Sequence, residues 1–190
     1  EGTDVNALQE GRSSLWLALN NDHLECAQLL LAHGARIMRE SVAHHRTELM
    51  AAANGSGTWE MPPDPLPIRF PPEHERAEAA IVRSLLKQGT EVNGRDDYEY
   101  TALHYAAQRG HIAVVQELLE QGAQVNAQSW YGVTPLSLAI EYTQPETVRL
   151  LLAYGADVTR PAMTSTPLQL ARQKKNLLIV QMLRQAGAKK

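Results

Sequence analysis

Few residues of this chain stand in a pattern that could do chemistry. Ser56 lies between Gly55 and Gly57, and a serine among glycines is one part of a nucleophile elbow. The full Gly-x-Ser-x-Gly motif is absent, as are a phosphate-binding glycine loop and a His-Glu-x-x-His metal motif. We therefore predict that the chain is not an enzyme, with no catalytic residues and no cofactor, and we interpret residues 55–57 as a flexible hinge.

The histidines and the cysteine predict no metal site. His44 and His45 are adjacent, so their side chains point in different directions on any regular element, and no third ligand lies nearby in the sequence. Cys26 is the only cysteine of these 190 residues, which excludes an intrachain disulfide among them and fits a reducing compartment. Because Cys26 falls on the apolar pattern of a predicted helix, we expect a packed core thiol.

Charge and hydrophobicity argue against two classes of partner. The formal net charge is -3 and the pI is about 6.2, so the chain has no overall basic field for nucleic acid or for an anionic membrane. No apolar run reaches membrane-spanning length, and no signal peptide is visible. We expect a cytoplasmic protein that is monomeric by itself, while secretion through a leader that has been cleaved away stays open.

The most regular stretch, residues 101–126, predicts two short helices. The first has a narrow face of small apolar residues and ends at Gly110, because glycine adopts the left-handed cap conformation without steric cost. The second ends at Gly122 and has apolar residues at Ile112, Val115, Leu118 and Leu119. Two such helices cannot bury their apolar faces alone, so the sequence predicts neighbouring copies of the pair.

The pattern of this stretch recurs along the whole chain. The glycine that closes each pair is found at Gly34, Gly89, Gly122, Gly155 and Gly187, in steps of 55, 33, 33 and 32 residues. The four-residue motif that opens each first helix begins at Ser13, Thr47, Thr101, Thr134 and Thr166. Five copies at a nearly constant period indicate a repeat architecture.

These repeats resemble the ankyrin family, whose tetrad of Thr, Pro, Leu and His is matched at three of four places by residues 101–104. The resemblance implies an all-α ankyrin-repeat solenoid of about five helix-turn-helix repeats with β-hairpin-like fingers. It makes residues 1–190 a single ankyrin-repeat domain. The repeats are placed at about 7–38, 39–93, 94–126, 127–159 and 160–190.

The resemblance also implies roles for single residues. His104 and His111 occupy the family's histidine positions, where they would hydrogen-bond the backbone of adjacent loops and be structural. Trp16 replaces the tetrad histidine in repeat one, so we expect apolar packing there. Residues 2–6 match the tail of a repeat whose helices are missing, which favours a piece of a longer or processed chain.

Repeat two contains a proline-rich insertion at residues 55–76. Six prolines between Pro62 and Pro72 are incompatible with a helix and favour an extended conformation. The helix that follows is predicted to start near Glu73, because prolines and acids are favoured in a first turn. Trp59 and Phe70 either pin the insertion to its own helices or form an arm that grasps a partner.

The remaining candidates for function lie on the surface. In the ankyrin family, recognition uses the finger tips and the exposed end of each first helix. Large aromatic residues and Arg dominate protein interfaces, although the aromatics here could instead cover one another along adjacent hairpins. The predicted partner-binding residues are Asp97, Tyr98, Tyr100, Arg109, Trp130, Tyr131, Glu141 and Tyr142, with Trp59 and Phe70 of the insertion as a second candidate.

The predicted function is specific binding of another protein through the concave and finger face of repeats three and four, without nucleic acid, membrane, metal or cofactor. One alternative is an inhibitor or immunity protein that blocks a partner enzyme or toxin with the proline-rich loop. Another is an ankyrin segment of a larger enzyme or channel.

Overall fold

A computed structural model describes residues 4–9, 12–21, 23–36, 47–54 and 72–188. Ten helices and one two-stranded hairpin occur in these ranges. The strands β1 (Leu8–Gln9) and β2 (Arg12–Ser13) pair antiparallel. The helices are α1 (Ser14–Asn20), α2 (Leu24–Ala32), α3 (Glu48–Asn54), α4 (Pro72–Lys87), α5 (Ala102–Arg109), α6 (Ile112–Glu120), α7 (Pro135–Glu141), α8 (Pro145–Ala153), α9 (Pro167–Gln173) and α10 (Leu177–Gln185).

The helices pack in two layers. Each odd-numbered helix contacts the next odd-numbered one and each even-numbered helix contacts the next even-numbered one, while α1 packs on α2, α3 on α4, and so on to α10. We call the odd-numbered helices inner and the even-numbered helices outer. This stack of helix pairs confirms the prediction of an all-α solenoid. Repeats three, four and five contain α5 and α6, α7 and α8, and α9 and α10.

Sequence signals at both ends of the helices determine their bounds. Thr134 and Thr166 each accept the backbone N–H three residues later, and that third residue bonds back to the cap, which forms a capping box. At the other end, Gly122 has φ 87°, and Ala123 N–H donates to the carbonyl of Leu118 at 2.9 Å. The caps explain why several helices of only two turns begin and end where predicted.

The core runs continuously between the two layers. Its larger fully buried side chains include Leu103, Leu118, Leu136, Leu151 and Ile179. Small residues on the inner helices, such as the fully buried Ala106 and Ala139, let α5 and α7 approach closely. Each pair of helices thus buries its apolar face against the adjacent pairs, as a solenoid requires.

Repeat one differs from its neighbours at two positions. Trp16 is buried, and the guanidinium of Arg12 lies 5.2 Å from its ring centre, so packing occupies the tetrad position as expected. The expectation for Cys26 was wrong, because this thiol is exposed. The matching residue of α6, Val114, is fully buried where α6 packs on α4. No described helix packs on the corresponding side of α2.

Helix α4 is nearly twice as long as the other outer helices. It begins at Pro72, within one residue of the predicted start, and Glu73 and Glu75 lie in its first turn. Residues 55–71 of the predicted insertion lie outside the described residues. Among the described helices, none combines the length and the apolar character that crossing a membrane requires.

Candidate functional site

The finger of repeat three is a tight turn around the buried carboxylate of Asp96. Its Oδ1 accepts the backbone N–H groups of Tyr98 and Tyr100, both at 2.9 Å. Its Oδ2 accepts the hydroxyl of Tyr105, which lies on the inner helix α5. Glu99 has φ 63°, and its N–H donates to the carbonyl of Asp96 at 2.9 Å. One buried acid therefore fixes the turn on the helix and leaves Tyr98 at the tip.

The finger of repeat four uses a different set of bonds. Ser129 N–H donates to the carbonyl of Val133 at 2.9 Å, and Val133 N–H donates to the Ser129 hydroxyl at 3.2 Å. Gly132 closes the turn with φ 70°. Trp130 and Tyr131 occupy the two positions at the tip of this hairpin.

Backbone hydrogen bonds connect the fingers to one another. Trp130 N–H donates to the carbonyl of Tyr98 at 3.3 Å, and one repeat later Met163 N–H donates to the carbonyl of Tyr131 at 3.0 Å. The finger of repeat five is closed by the β-bridge between Ala162 and Ser165. The tips of repeats three to five therefore form one row with a fixed spacing.

The row of tips is apolar and exposed. Tyr98 is 42% exposed, Tyr131 64%, Trp130 66% and Met163 71%. The rings of Tyr98 and Trp130 meet edge to face, with centroids 6.3 Å apart. We call these four residues the finger surface. Met163 was missed by the sequence reasoning, although it lies 33 residues after Trp130 and could have been found by repeat register.

Tyr100 lies below the tips, at the foot of the same finger. It is half-buried, and its ring packs against His104 with a centroid distance of 5.0 Å and against Tyr105 at 5.8 Å. Burial raises the pKa of its hydroxyl above the ordinary value, and a hydrogen bond with Ser129 opposes that rise. Tyr100 thus connects the finger to the inner helix.

The floor of the candidate site is formed by the C-terminal ends of the inner helices. Arg109 is half-buried, and its Nε donates to the amide oxygen of Asn54 at 3.2 Å. Burial lowers its pKa. Glu141 accepts from Lys174 at 2.5 Å, which joins repeats four and five. Burial raises the pKa of the Tyr142 hydroxyl above its ordinary value, and a hydrogen bond with Gln108 opposes that rise.

The predicted site residues therefore fall into three groups. Tyr98, Trp130 and Tyr131 come together as exposed tips, with Asp97 half-buried beside them. The half-buried residues of the foot and floor are Tyr100, Arg109, Glu141 and Tyr142. Trp59 and Phe70 lie outside the described residues.

His104 has the structural role that the sequence predicts. Its Nδ1 accepts the backbone N–H of Thr101 at 3.1 Å, and its Nε2 lies 3.1 Å from the carbonyl oxygen of Val133 in the next finger. Burial lowers the pKa of His104 to about 4, so the ring is neutral at physiological pH. It joins repeat three to repeat four.

His111 is buried in the turn between α5 and α6 and has a contact that the sequence reasoning did not anticipate. Its Nδ1 lies 2.9 Å from Oε2 of Glu78, a fully buried acid on α4, and His74 Nε2 lies 3.4 Å from the other carboxylate oxygen. Glu78 precedes His111 by 33 residues, so both occupy the same repeat position. The lengthened helix α4 is thereby attached to repeat three.

These features form an exposed row of finger tips above a half-buried floor. Within the described ranges, no set of three or more His, Cys, Asp or Glu residues is placed to hold a metal ion. The sequence profile described as Ankyrin repeats (3 copies) matches residues 74–162 and 131–190, and the profile described as Ankyrin repeat matches residues 10–40.

The chain belongs to the ankyrin-repeat family.

Ankyrin repeats generally mediate protein–protein interactions, and a protein partner is therefore indicated for this ankyrin-repeat chain. Comparison of the chain with curated protein sequences gives no significant match.

Proposed function

We propose that this ankyrin-repeat protein is a non-catalytic binding module whose main contact with its partner protein is the finger surface of Tyr98, Trp130, Tyr131 and Met163. The observation that carries the proposal is the exposure of these side chains. If the aromatics only covered one another, their contact would bury them, yet Trp130 stays 66% exposed beside Tyr98. Large exposed aromatics add nothing to the stacking of repeats and are enriched at interface hot spots.

Rigidity of the fingers supports the same conclusion. The turn around Asp96 and the bonds from Trp130 to Tyr98 and from Met163 to Tyr131 fix the backbone of the tips before any partner arrives. A surface that is already ordered loses little conformational entropy on binding, so more of the contact energy is retained as affinity. The half-buried floor residues Tyr142 and Glu141 extend the surface from the fingers along the inner helices.

Affinity capture from a native lysate tests the proposal. The bait is the intact chain, compared with a double variant that carries Tyr98→Ala and Trp130→Ala. The matched control carries Tyr154→Ala and Leu178→Ala, which remove two exposed apolar side chains from the outer layer, one directly after α8 and one within α10. We expect the first variant to lose about 2 kcal/mol or more of binding free energy for the captured protein, which is about thirtyfold in Kd.

The control and the thermal midpoint decide the outcome. The control variant is expected to bind like the intact chain, and both variants are expected to unfold at nearly the same temperature as the intact chain. An equal loss of binding in the two variants would show that the finger surface is not the main contact with the partner protein. A large fall in the midpoint of the finger variant alone would show that its aromatics are structural.

A further inference from the structure

The charges of the chain are divided between its last repeat and the rest. Seven of the 18 Lys and Arg residues lie at positions 160–190, which contain none of the 21 Asp and Glu residues. The formal charge is therefore +7 for residues 160–190 and -10 for residues 1–159. A polar outer face needs charge for solubility but does not need a single sign.

Two of these basic residues stand where the other repeats have buried or half-buried apolar side chains. Arg172 follows the cap of its inner helix by six residues, as the fully buried Ala107 and Ile140 do in repeats three and four. Arg184 precedes the closing glycine by three residues, as Leu119 and Leu152 do. In repeat five both positions hold exposed guanidinium groups.

A highly exposed apolar side chain lies among these charges. Leu177 is 82% exposed and lies two helical turns before Arg184 on the same face of α10. Lys175 is exposed in the turn between α9 and α10, next to the end of the helix that holds Arg172. We call Arg172, Lys175, Leu177 and Arg184 the basic end face.

The ion pairs of repeat five leave these cations available to a partner. Arg160 lies 3.5 Å from Asp157, and Lys174 lies 2.5 Å from Glu141. In the part of the chain that the structure describes, no carboxylate lies within ion-pairing distance of Arg172, Lys175 or Arg184. The basic end face therefore combines three cations with an exposed leucine and has no neutralising acid of its own.

We propose that the basic end face is a second docking surface, which binds an acidic peptide segment of a partner protein with an apolar side chain seated on Leu177. Carboxylates of the segment would meet Arg172, Lys175 and Arg184, and Arg is suited to binding them because its guanidinium can donate two parallel hydrogen bonds. The proposal goes beyond the finger surface, which lies on the hairpins and contains only one residue of repeat five. The acidic remainder of the chain would repel a second acidic segment from other positions.

The test measures binding of a short fluorescent peptide of Glu and Asp with leucines at helical spacing, at an ionic strength of about 0.15 M. A twin peptide has serine in place of each leucine. The protein variants are Arg172→Glu with Arg184→Glu, and Leu177→Ser. The matched control is Lys87→Glu with Arg149→Glu, which makes the same change in net charge at exposed positions of α4 and α8.

We expect the intact chain to bind the leucine peptide and to lose about tenfold in affinity on charge reversal at the end face, since each of two surface pairs changes from attraction to repulsion. The control should change affinity less than twofold or so, because charges elsewhere are screened over about 8 Å. Leu177→Ser and the serine peptide should each weaken binding several-fold, in line with the loss of one buried apolar contact.

Four results would overturn the proposal. The first is the absence of any binding of the leucine peptide at protein concentrations up to about 1 mM. The second is an equal loss of affinity in the control, which would mean that only net charge matters. The third is tighter binding of a single-stranded oligonucleotide or of phosphatidylserine vesicles than of the leucine peptide. The fourth is concentration-dependent self-association abolished by the charge reversal, which would make a second copy the occupant.

Discussion

Replacement of His104 by Gln should remove a defined part of the pH dependence of stability. In the folded chain Nδ1 of His104 already accepts the N–H of Thr101, so a proton on Nδ1 would break that bond inside a fully buried site. Burial accordingly lowers the pKa of His104 to about 4, from an ordinary value of 6.5. His104→Gln is the matched variant because Gln169 occupies the same helix position in repeat five and accepts the N–H of Thr166 at 2.8 Å.

The sign of the effect comes from which state binds more protons. The unfolded chain protonates this histidine below about pH 6.5, whereas the folded chain does so only near pH 4. The stability that the neutral His104 ring contributes to the folded chain is therefore fully present above about pH 6.5, and it is lost as the pH falls from about 6.5 to about 4. Between about pH 7 and about pH 5 the loss amounts to about 2 kcal/mol, since the two pKa values enclose most of that interval.

Urea denaturation of both proteins at these two pH values measures the difference. The other histidines are present in both, so their effects cancel in the comparison. We expect the intact chain to lose about 2 kcal/mol more stability on acidification than His104→Gln does. An equal loss in both proteins would refute the assignment of His104 as a buried neutral ring.

Three further predictions concern the repeat register, the turns and the insertion. Leu118→Ala should lower the free energy of unfolding by about 2 to 5 kcal/mol in chemical denaturation, because Leu118 is fully buried and a cavity would remain; a near-neutral result would contradict the register. Gly110→Ala and Gly122→Ala should each lower the free energy of unfolding by about 1 kcal/mol, because both glycines have a positive φ. Gly110→Ala should lower it by about 1 kcal/mol more, because the new Cβ would displace the Gln144 side chain and break its hydrogen bond to the Arg109 carbonyl. Equal thermal midpoints of the two variants would argue against the contact between Gly110 and Gln144. Replacing Gly57–Pro71 with a short Gly-Ser linker should leave the protein captured from lysate unchanged, and its disappearance would favour the insertion as the binding arm.

Much of the fold could be predicted because the local signals agree with one another. The tetrad motifs specify helix starts through capping boxes, as at Thr134 and Thr166, and the glycines specify the ends. The burial of Leu103 and Leu118 follows from helical spacing alone. Each of these signals acts within a few residues, which is why the sequence is sufficient to locate them.

Met163 could have been found by repeat register, but the other features that the sequence reasoning missed depend on which repeat lies next to a residue. Cys26 matches the buried Val114 in register, yet no described helix covers it. The contact between His111 and Glu78 joins two repeats, and Glu78 lies on the lengthened helix α4. Exposure of Trp130 beside Tyr98 likewise depends on how adjacent hairpins align, and the sequence left mutual burial of the aromatics open.

Site-specific photo-crosslinking is the most direct test of binding through the finger surface. A photoreactive phenylalanine analogue replaces Tyr131 at the exposed tip in one protein and Tyr154 on the outer layer in another, and each is illuminated in native lysate. We expect a crosslinked partner protein from position 131 and none from position 154. A partner crosslinked from position 154 and absent from position 131 would contradict binding through the finger surface.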